Sequence, residues 1–306
     1  MIETKIPSTD GKNQLHVYIF KPDTEIRAIL QISHGMVEHI GRYKDFAEFL
    51  NSKGILVIGN DHLGHGFTVS SDEDYGYFGS ENSKTVVDDL YEVTKYAKST
   101  YGNNIPYFLL GHSMGSFMAR RYMMTRGNEL TGAIISGTGS QPGIALFFGK
   151  LLVSLTTAIK GEKYHPKLLK SIAFSSYNNK IKNPETESDW LCKDKEIVQK
   201  YIHDKFCTFD FTVDGYKTLF GVIEYIQKPE NINKIPKDLP VLMFSGDMDP
   251  VGNYGKGVIS AKKSMEKAGL NKITLIMYKD GRHEMLNELE RQNVYNDVYL
   301  WINEQI

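Results

Sequence analysis

Cysteine is nearly missing from this chain: of its 306 residues only Cys192 and Cys207 carry a thiol. Their spacing fits no metal or redox motif, so two reduced thiols are expected rather than a disulfide framework or a zinc site. Charge of one sign is lacking too. The formal net charge is -1, which gives no reason to expect nucleic acid or an anionic membrane as a partner. The N-terminal residues offer no apolar run of the kind a signal peptide needs. No stretch reads as long enough to cross a bilayer. A soluble, cytoplasmic protein is therefore the expectation. No internal repeat and no low-complexity tract breaks the sequence. What is there is a globular composition, 41% hydrophobic and 24% charged, enough for a large core.

One pentapeptide organises the rest. Gly111-His112-Ser113-Met114-Gly115 fits the G-x-S-x-G pattern of a nucleophile elbow. The apolar residues Tyr107, Phe108, Leu109 and Leu110 precede it as a strand would, and residues 117–123 can continue as a helix. Ser113 then sits on a tight strand-to-helix turn. The flanking glycines permit that turn, because a β-carbon there would collide with the neighbouring strand or the helix. The helix N-terminus brings free N–H groups and partial positive charge to the place where an oxyanion would form.

The surrounding pattern supplies a sheet for this turn. Residues 3–20 read as two strands joined at Ser8-Thr9-Asp10-Gly11, with apolar residues alternating at period two. The runs at 28–33, 55–58, 107–110 and 133–136 read as buried strands. Amphipathic helices are expected at 43–53 and 83–101, stopped by Gly54 and Gly102. A β-α-β-α-β-α-β order implies a mainly parallel sheet with helices on both faces and right-handed crossovers. The rhythm breaks over residues 139–237, which hold helix-like segments and no clear buried strand. It resumes with a strand at 241–244, a helix at 256–267, a strand at 273–277 and a last helix. The simplest organisation is a core of residues 1–138 and 238–306, interrupted by an inserted helical cap of residues 139–237. Within the cap, residues 144–158 are unusually apolar. A helix apolar over much of its surface is either buried or interfacial, so this segment either packs on the core, lines an acyl pocket or touches lipid aggregates.

Ser113 is inert at its own pKa and needs a base. Of the nine histidines, His283 alone lies after the last strand and before the last helix. That matches the chain order nucleophile, acid, histidine of proteins with this kind of elbow. The acid should follow the strand at 241–244, where Asp247 and Asp249 are available. Asp249 is the choice and Asp247 the alternative, with Pro250 stiffening the turn. An oxyanion hole needs two backbone N–H groups. The expected donors are Met114, directly after the serine, and Met36, in the loop after the strand at 28–33. Glu38, His39, Arg42, Asp61, His62 and His65 are expected to hold loops by hydrogen bonds rather than to react. Metal binding by His62 and His65 is not expected, since no further ligand set has the right spacing.

Taken together, the motifs His34-Gly35-x-x-Glu38-His39-x-Gly41-Arg42-Tyr43, Asp61-His62-x-Gly64-His65-Gly66, Gly111 to Gly115, Gly246-x-x-Asp249 and Gly281-x-His283 resemble the monoacylglycerol lipase and lysophospholipase group of serine hydrolases. The likeness spans nearly the whole core, in order. It implies an α/β-hydrolase fold with an eight-stranded, mostly parallel sheet, and a carboxylic ester hydrolase acting on lipid-like monoesters without a cofactor or metal. It favours Asp249 over Asp247, since the family acid follows the glycine by three positions. Met36 stands where the family often has alanine, which implies a bulkier pocket roof. Rival readings share the same residues: an amidase related to proline iminopeptidases, which needs acidic cap residues for a substrate amine; an acyltransferase; and a ligand receptor without turnover. Glu185, Glu187, Asp189, Asp194 and Glu196 keep the first rival in play. Oligomeric state leaves no mark in the sequence.

Overall fold

The computed structural model describes residues 1–79 and 83–306. The first half of the chain alternates strands and helices: β1 (Ile2–Pro7), β2 (Gln14–Phe20), β3 (Ala28–Ser33), α1 (Lys44–Asn51), β4 (Ile55–Asn60), α2 (Thr85–Tyr101), β5 (Tyr107–His112), α3 (Met114–Arg126) and β6 (Gly132–Ser136). Five helices follow: α4 (Gly143–Lys160), α5 (Lys167–Phe174), α6 (Lys195–His203), α7 (Val213–Gln227) and α8 (Pro229–Ile232). The chain ends with β7 (Val241–Gly246), α9 (Lys256–Lys267), β8 (Ile273–Tyr278) and α10 (Arg291–Asn303).

The strands form one eight-stranded sheet in the order β1-β2-β4-β3-β5-β6-β7-β8. β1 pairs β2, and β2 pairs β4, antiparallel; every later pairing is parallel. The period-two alternation of side chains sorts the apolar residues onto two faces. Tyr107, Leu109, Ile135 and Met243 face α2, α3, α7 and α9. Phe108, Leu110, Ile134 and Phe244 face α1 and α10. Register places Ser33 opposite Gly111, and Ser136 opposite both His112 and Phe244. The carboxyl ends of β3, β5, β6 and β7 therefore share one edge. The chain order also reverses between β3 and β5, and it is outside such a switch point that open α/β sheets place their ligands.

Among the described residues between β6 and β7 there is no strand. α7 packs on both α3 and α4, and its Val213, Tyr216, Val222, Ile223 and Ile226 join the main apolar cluster. α4 behaves differently. Only Leu146 and Val153 of it are buried, while Ile144, Phe147, Phe148, Leu151, Leu155 and Ile159 are exposed. α4 also corrects one expectation. With 18 residues it does reach the length and composition of a membrane span, about 27 Å at 1.5 Å per residue against a hydrocarbon core of about 30 Å. Lys150 interrupts the apolar run in the sequence, but on the helix it reaches aside to Glu224 of α7 at 2.7 Å.

One of the two tightest backbone approaches among the described glycines is where α3 starts beneath β3, the other being at Gly246. A β-carbon at Gly115 would lie 2.0 Å from the Ser33 carbonyl oxygen, whereas one at Gly143 would meet nothing within 4 Å. Gly115→Ala is therefore expected to lower stability by about 1–3 kcal/mol, the usual range for overpacking, and Gly143→Ala to stay within about 0.5 kcal/mol of the parent. Urea unfolding midpoints of the two variants check this; equal midpoints would contradict it.

Candidate active site

The turn from β5 into α3 carries Ser113 with φ 53° and ψ -120°, a region that non-glycine residues avoid at a cost of about 1–3 kcal/mol. Neighbouring backbone holds it there. The Ser113 N–H donates to the Ser136 carbonyl at 3.0 Å, and the Ser116 N–H donates to the Ser113 carbonyl at 2.9 Å. A β-carbon at Gly111 would lie 2.3 Å from the Gly115 carbonyl oxygen. The two glycines are thus demanded by close approach of strand and helix, as expected from the motif. The side chain is lifted to the carboxyl edge of the sheet and is only partly buried.

His283 follows β8 and reaches the same edge. Its Nδ1 lies 3.0 Å from Asp249 Oδ1, and both side chains are almost fully buried. A carboxylate only accepts, so Nδ1 carries the proton and Nε2 is left with a free lone pair. Asp249 is itself held by the Val251 N–H at 2.9 Å and the Ser245 hydroxyl at 3.2 Å. Asp247, the sequence alternative, turns away and accepts the Asp280 N–H at 2.8 Å. The imidazole lies between His112, with ring centroids 4.7 Å apart, and Trp190, at 5.0 Å. Among the described residues Ser113 Oγ makes no hydrogen bond; contacts of this kind often tighten only when substrate is bound.

Burial alone would pull the His283 pKa down, but the charge and hydrogen bond of Asp249 outweigh it and raise it above 6.5. The neighbouring imidazoles go the other way. Burial pushes His34 well down, His62 and His112 to about 3 and His65 to about 4. Four neutral imidazoles thus stand beside one that takes a proton readily.

The loop after β3 runs against the serine: a β-carbon at Gly35 would lie 3.1 Å from Ser113 Cβ. Among the described residues the N–H groups of Met36 and Met114 have no acceptor. The rest of this loop is pinned. His34 Nδ1–H donates to the Gly35 carbonyl at 2.8 Å, and His34 Nε2 accepts the His62 N–H at 2.9 Å. His65 Nε2 accepts the N–H of Val37 at 3.2 Å, a residue in the left-handed region at φ 56°. Glu38 Oε1 accepts the Gly35 N–H at 2.5 Å. Asp61 accepts the N–H groups of Ile40 and Phe67 at 3.0 and 2.8 Å. His34, Glu38, Asp61 and His65 therefore hold backbone, while His62 meets the Ser33 hydroxyl at 3.1 Å and Arg42 meets the carboxylates of Glu38 and Glu284. His39 reaches instead to Asp204 between α6 and α7, at 2.9 Å.

Two residues of this neighbourhood carry no role in the sequence reading. Trp190 covers His283, and its carbonyl accepts the His283 N–H at 3.3 Å; nothing in the sequence places residue 190 beside residue 283. Glu284 forms a fork with Arg42. An acidic residue directly after the candidate base was the available signal.

Residues 24–290 match the family model described as serine aminopeptidase, S33. The chain is 27% identical over 293 residues to a monoglyceride lipase homolog of Monkeypox virus, covering 92% of each. It is 27% identical over 311 residues to a monoglyceride lipase of Homo sapiens, covering 97% of this chain and 89% of that one. Among solved structures it is similar to a highly thermostable carboxyl esterase from Bacillus coagulans in complex with glycerol, with 30% identity, a TM-score of 0.92, and 99% and 98% of the two chains covered.

Imidazole NMR titration tests the electrostatics directly. His283 is expected to titrate above 6.5, with His62, His65 and His112 still neutral at pH 5. In Asp249→Asn the largest raising contributions are gone while burial and the weaker pull of Glu284 and Glu38 remain, so the His283 midpoint is expected to fall. A midpoint that ignores the substitution would show that the 3.0 Å contact does not govern this histidine.

Proposed function

The chain belongs to the serine aminopeptidase S33 family, and from that premise we propose that it is a serine carboxylic ester hydrolase for monoacylglycerol- or lysophospholipid-like esters. The observation that carries this reading is the shared sheet edge, with Ser113 on its strained turn, the buried His283–Asp249 pair at 3.0 Å and the N–H groups of Met36 and Met114, which have no acceptor among the described residues. In this reading His283 Nε2 takes the Ser113 proton as Oγ attacks the ester carbonyl. Met36 and Met114 hold the tetrahedral oxyanion through N–H groups, each such donor being worth about 3 kcal/mol in the transition state. His283 then protonates the leaving alcohol, giving an acyl-enzyme. Water, deprotonated by the same imidazole, attacks the acyl carbon and frees the acid. No cofactor enters any step.

The family name is that of a peptidase, so the bond itself needs an argument. An amide hydrolase of this family type needs cap acids directed at a substrate amine. Here Glu185 pairs with Lys195. Asp189 accepts from the Glu185 N–H and the Thr186 hydroxyl. Asp194 caps α6 and pairs with Arg291 at 3.0 Å. Three of the five candidate acids are thus occupied locally. The names of the relatives, monoglyceride lipases and a carboxyl esterase, support the ester as well.

Residues 139–237 form the proposed cap, anchored on the core by α7. Its exposed α4, together with Leu168 and Ile172 of α5, offers an apolar face suited to transient contact with the lipid aggregates in which such substrates are presented.

Two measurements bear on this reading. Ser113→Ala is expected to lower hydrolysis of a long-chain monoacylglycerol at least about 10,000-fold while leaving the thermal midpoint close to the parent. Faster turnover of an aminoacyl-anilide than of any ester would sink the ester reading. Phe147→Ser combined with Phe148→Ser is expected to reduce turnover on micellar substrate several-fold, with hydrolysis of a short soluble ester unchanged. Equal loss on both substrates would assign α4 to packing instead.

A further inference from the structure

Met36 and His283 lie in loops, so no register of the sheet sets the distance between them, yet both have to meet one reacting carbon above Ser113. A chain of buried ionic contacts runs from one loop to the other. Beside Met36, the Gly35 N–H donates to Glu38 Oε1, which also accepts the Tyr43 hydroxyl at 2.8 Å. Glu38 Oε2 accepts from Arg42 Nη1 at 2.7 Å. Arg42 also forks onto Glu284, Nη1 to Oε1 and Nη2 to Oε2, each at 2.7 Å. Glu284 is the residue after His283, and its own N–H donates to the Leu191 carbonyl at 2.7 Å. The side chains of Glu38, Arg42 and Glu284 are 4%, 10% and 5% exposed, and the Tyr201 ring lies over the guanidinium at 4.9 Å.

Stability does not call for such an arrangement. Taking three charges out of water is costly, and well-packed apolar residues in place of a buried ionic triad are often as stable or more so. What the triad does supply is direction. A guanidinium fork fixes a carboxylate in distance and in angle, which neither a lysine nor a methionine does. We propose that Glu38, Arg42 and Glu284 are positioning residues that hold the loop bearing Met36 and the loop bearing His283 at a fixed separation across Ser113. The inference rests on the roles given above to Met36, His283 and Ser113, but not on which ester or amide is the substrate.

The test uses a fluorophosphonate, which reacts with an activated serine whatever the natural substrate is. Maximal labelling rate and half-saturating concentration are measured on purified full-length protein, beside a thermal melt. In one variant Arg42→Met, Glu38→Gln and Glu284→Gln are combined, so that no lone charge is left buried. With the tie gone but the fold kept, the maximal rate is expected to fall about a hundredfold, the scale of a misplacement of about 1 Å, with half-saturation within about threefold. Arg42→Lys, which keeps the charge and loses the fork, is expected to fall about tenfold. A folded triple variant that labels at the parent rate overturns the proposal. So does a loss that merely tracks the unfolded fraction. If the triple variant does not fold, Arg42→Lys decides alone: a folded protein with the parent rate overturns the tie, and a slowed one with unchanged half-saturation supports it. A parent protein that labels rapidly yet hydrolyses no ester would remove the ester reading while leaving this comparison intact.

Discussion

A serine at φ 53° and ψ -120° persists only where its surroundings leave it no alternative. Here the constraint is the crossing of α3 under β3. Gly115 packs so tightly on the Ser33 carbonyl that no side chain fits between them, and the Ser113 N–H is tied to β6 through Ser136. Strand, helix and neighbouring strand each fix one side of the turn. The hydroxyl is thereby carried on the most deeply buried helix of the molecule rather than on a free loop. Sites built on rigid elements keep their geometry better than sites built on loops. Met114 shares this rigid support as the first residue of α3, and Met36, Asp249 and His283 come from loops brought up to this one fixed point.

Electrostatics sorts the histidines by what each one faces. His34, His62 and His65 are buried against neutral backbone, hydroxyls and one another, and His112 against His283; in all four burial is the largest influence and pulls the pKa down. Neutral imidazoles serve as bent connectors with one donor and one acceptor, and His34 and His65 are used in just that way on Gly35, His62, Leu63 and Val37. His283 is equally buried but faces a carboxylate, which reverses the outcome. Groups of one chemical type driven apart by their surroundings are a recurring sign of divided roles in a reactive site.

The sheet was legible because its signals are local. Apolar runs bounded by glycine or polar residues located β3 and β5 closely, and helix stops located α9. The pairing of His283 with Asp249 was legible because topology brings the ends of β7 and β8 to one edge. The choice between Asp249 and Asp247 was less so, since both lie in one turn two residues apart and only the direction of each carboxylate separates them. The Arg42 fork onto Glu284 spans 242 positions, and no periodicity records a contact of that range. The apolar run of residues 144–158 left packing and exposure open, because a helix with no clear polar stripe gives no indication of which side is covered. That depends on where α7 lies.

Residues 189–193 of the proposed cap do more than cover a finished core. The N–H groups of His283 and Glu284 find their acceptors in the carbonyls of Trp190 and Leu191. The Arg282 guanidinium finds its own in the carbonyls of Asp189 and Cys192. From the other side, Glu288 accepts the N–H of Lys193 at 3.1 Å. Without residues 189–193 the loop bearing the proposed base would have several buried polar groups unsatisfied, each costing about 1–3 kcal/mol. The loop's conformation therefore depends on residues 189–193 being present. α4 stands apart from this: its ion pair runs from Lys150 to Glu224 of α7. Sequence change in α4 can then reshape how a substrate is met without disturbing the imidazole, whereas change around Trp190, on which Phe174 of α5 packs at 6.4 Å, reaches the imidazole directly.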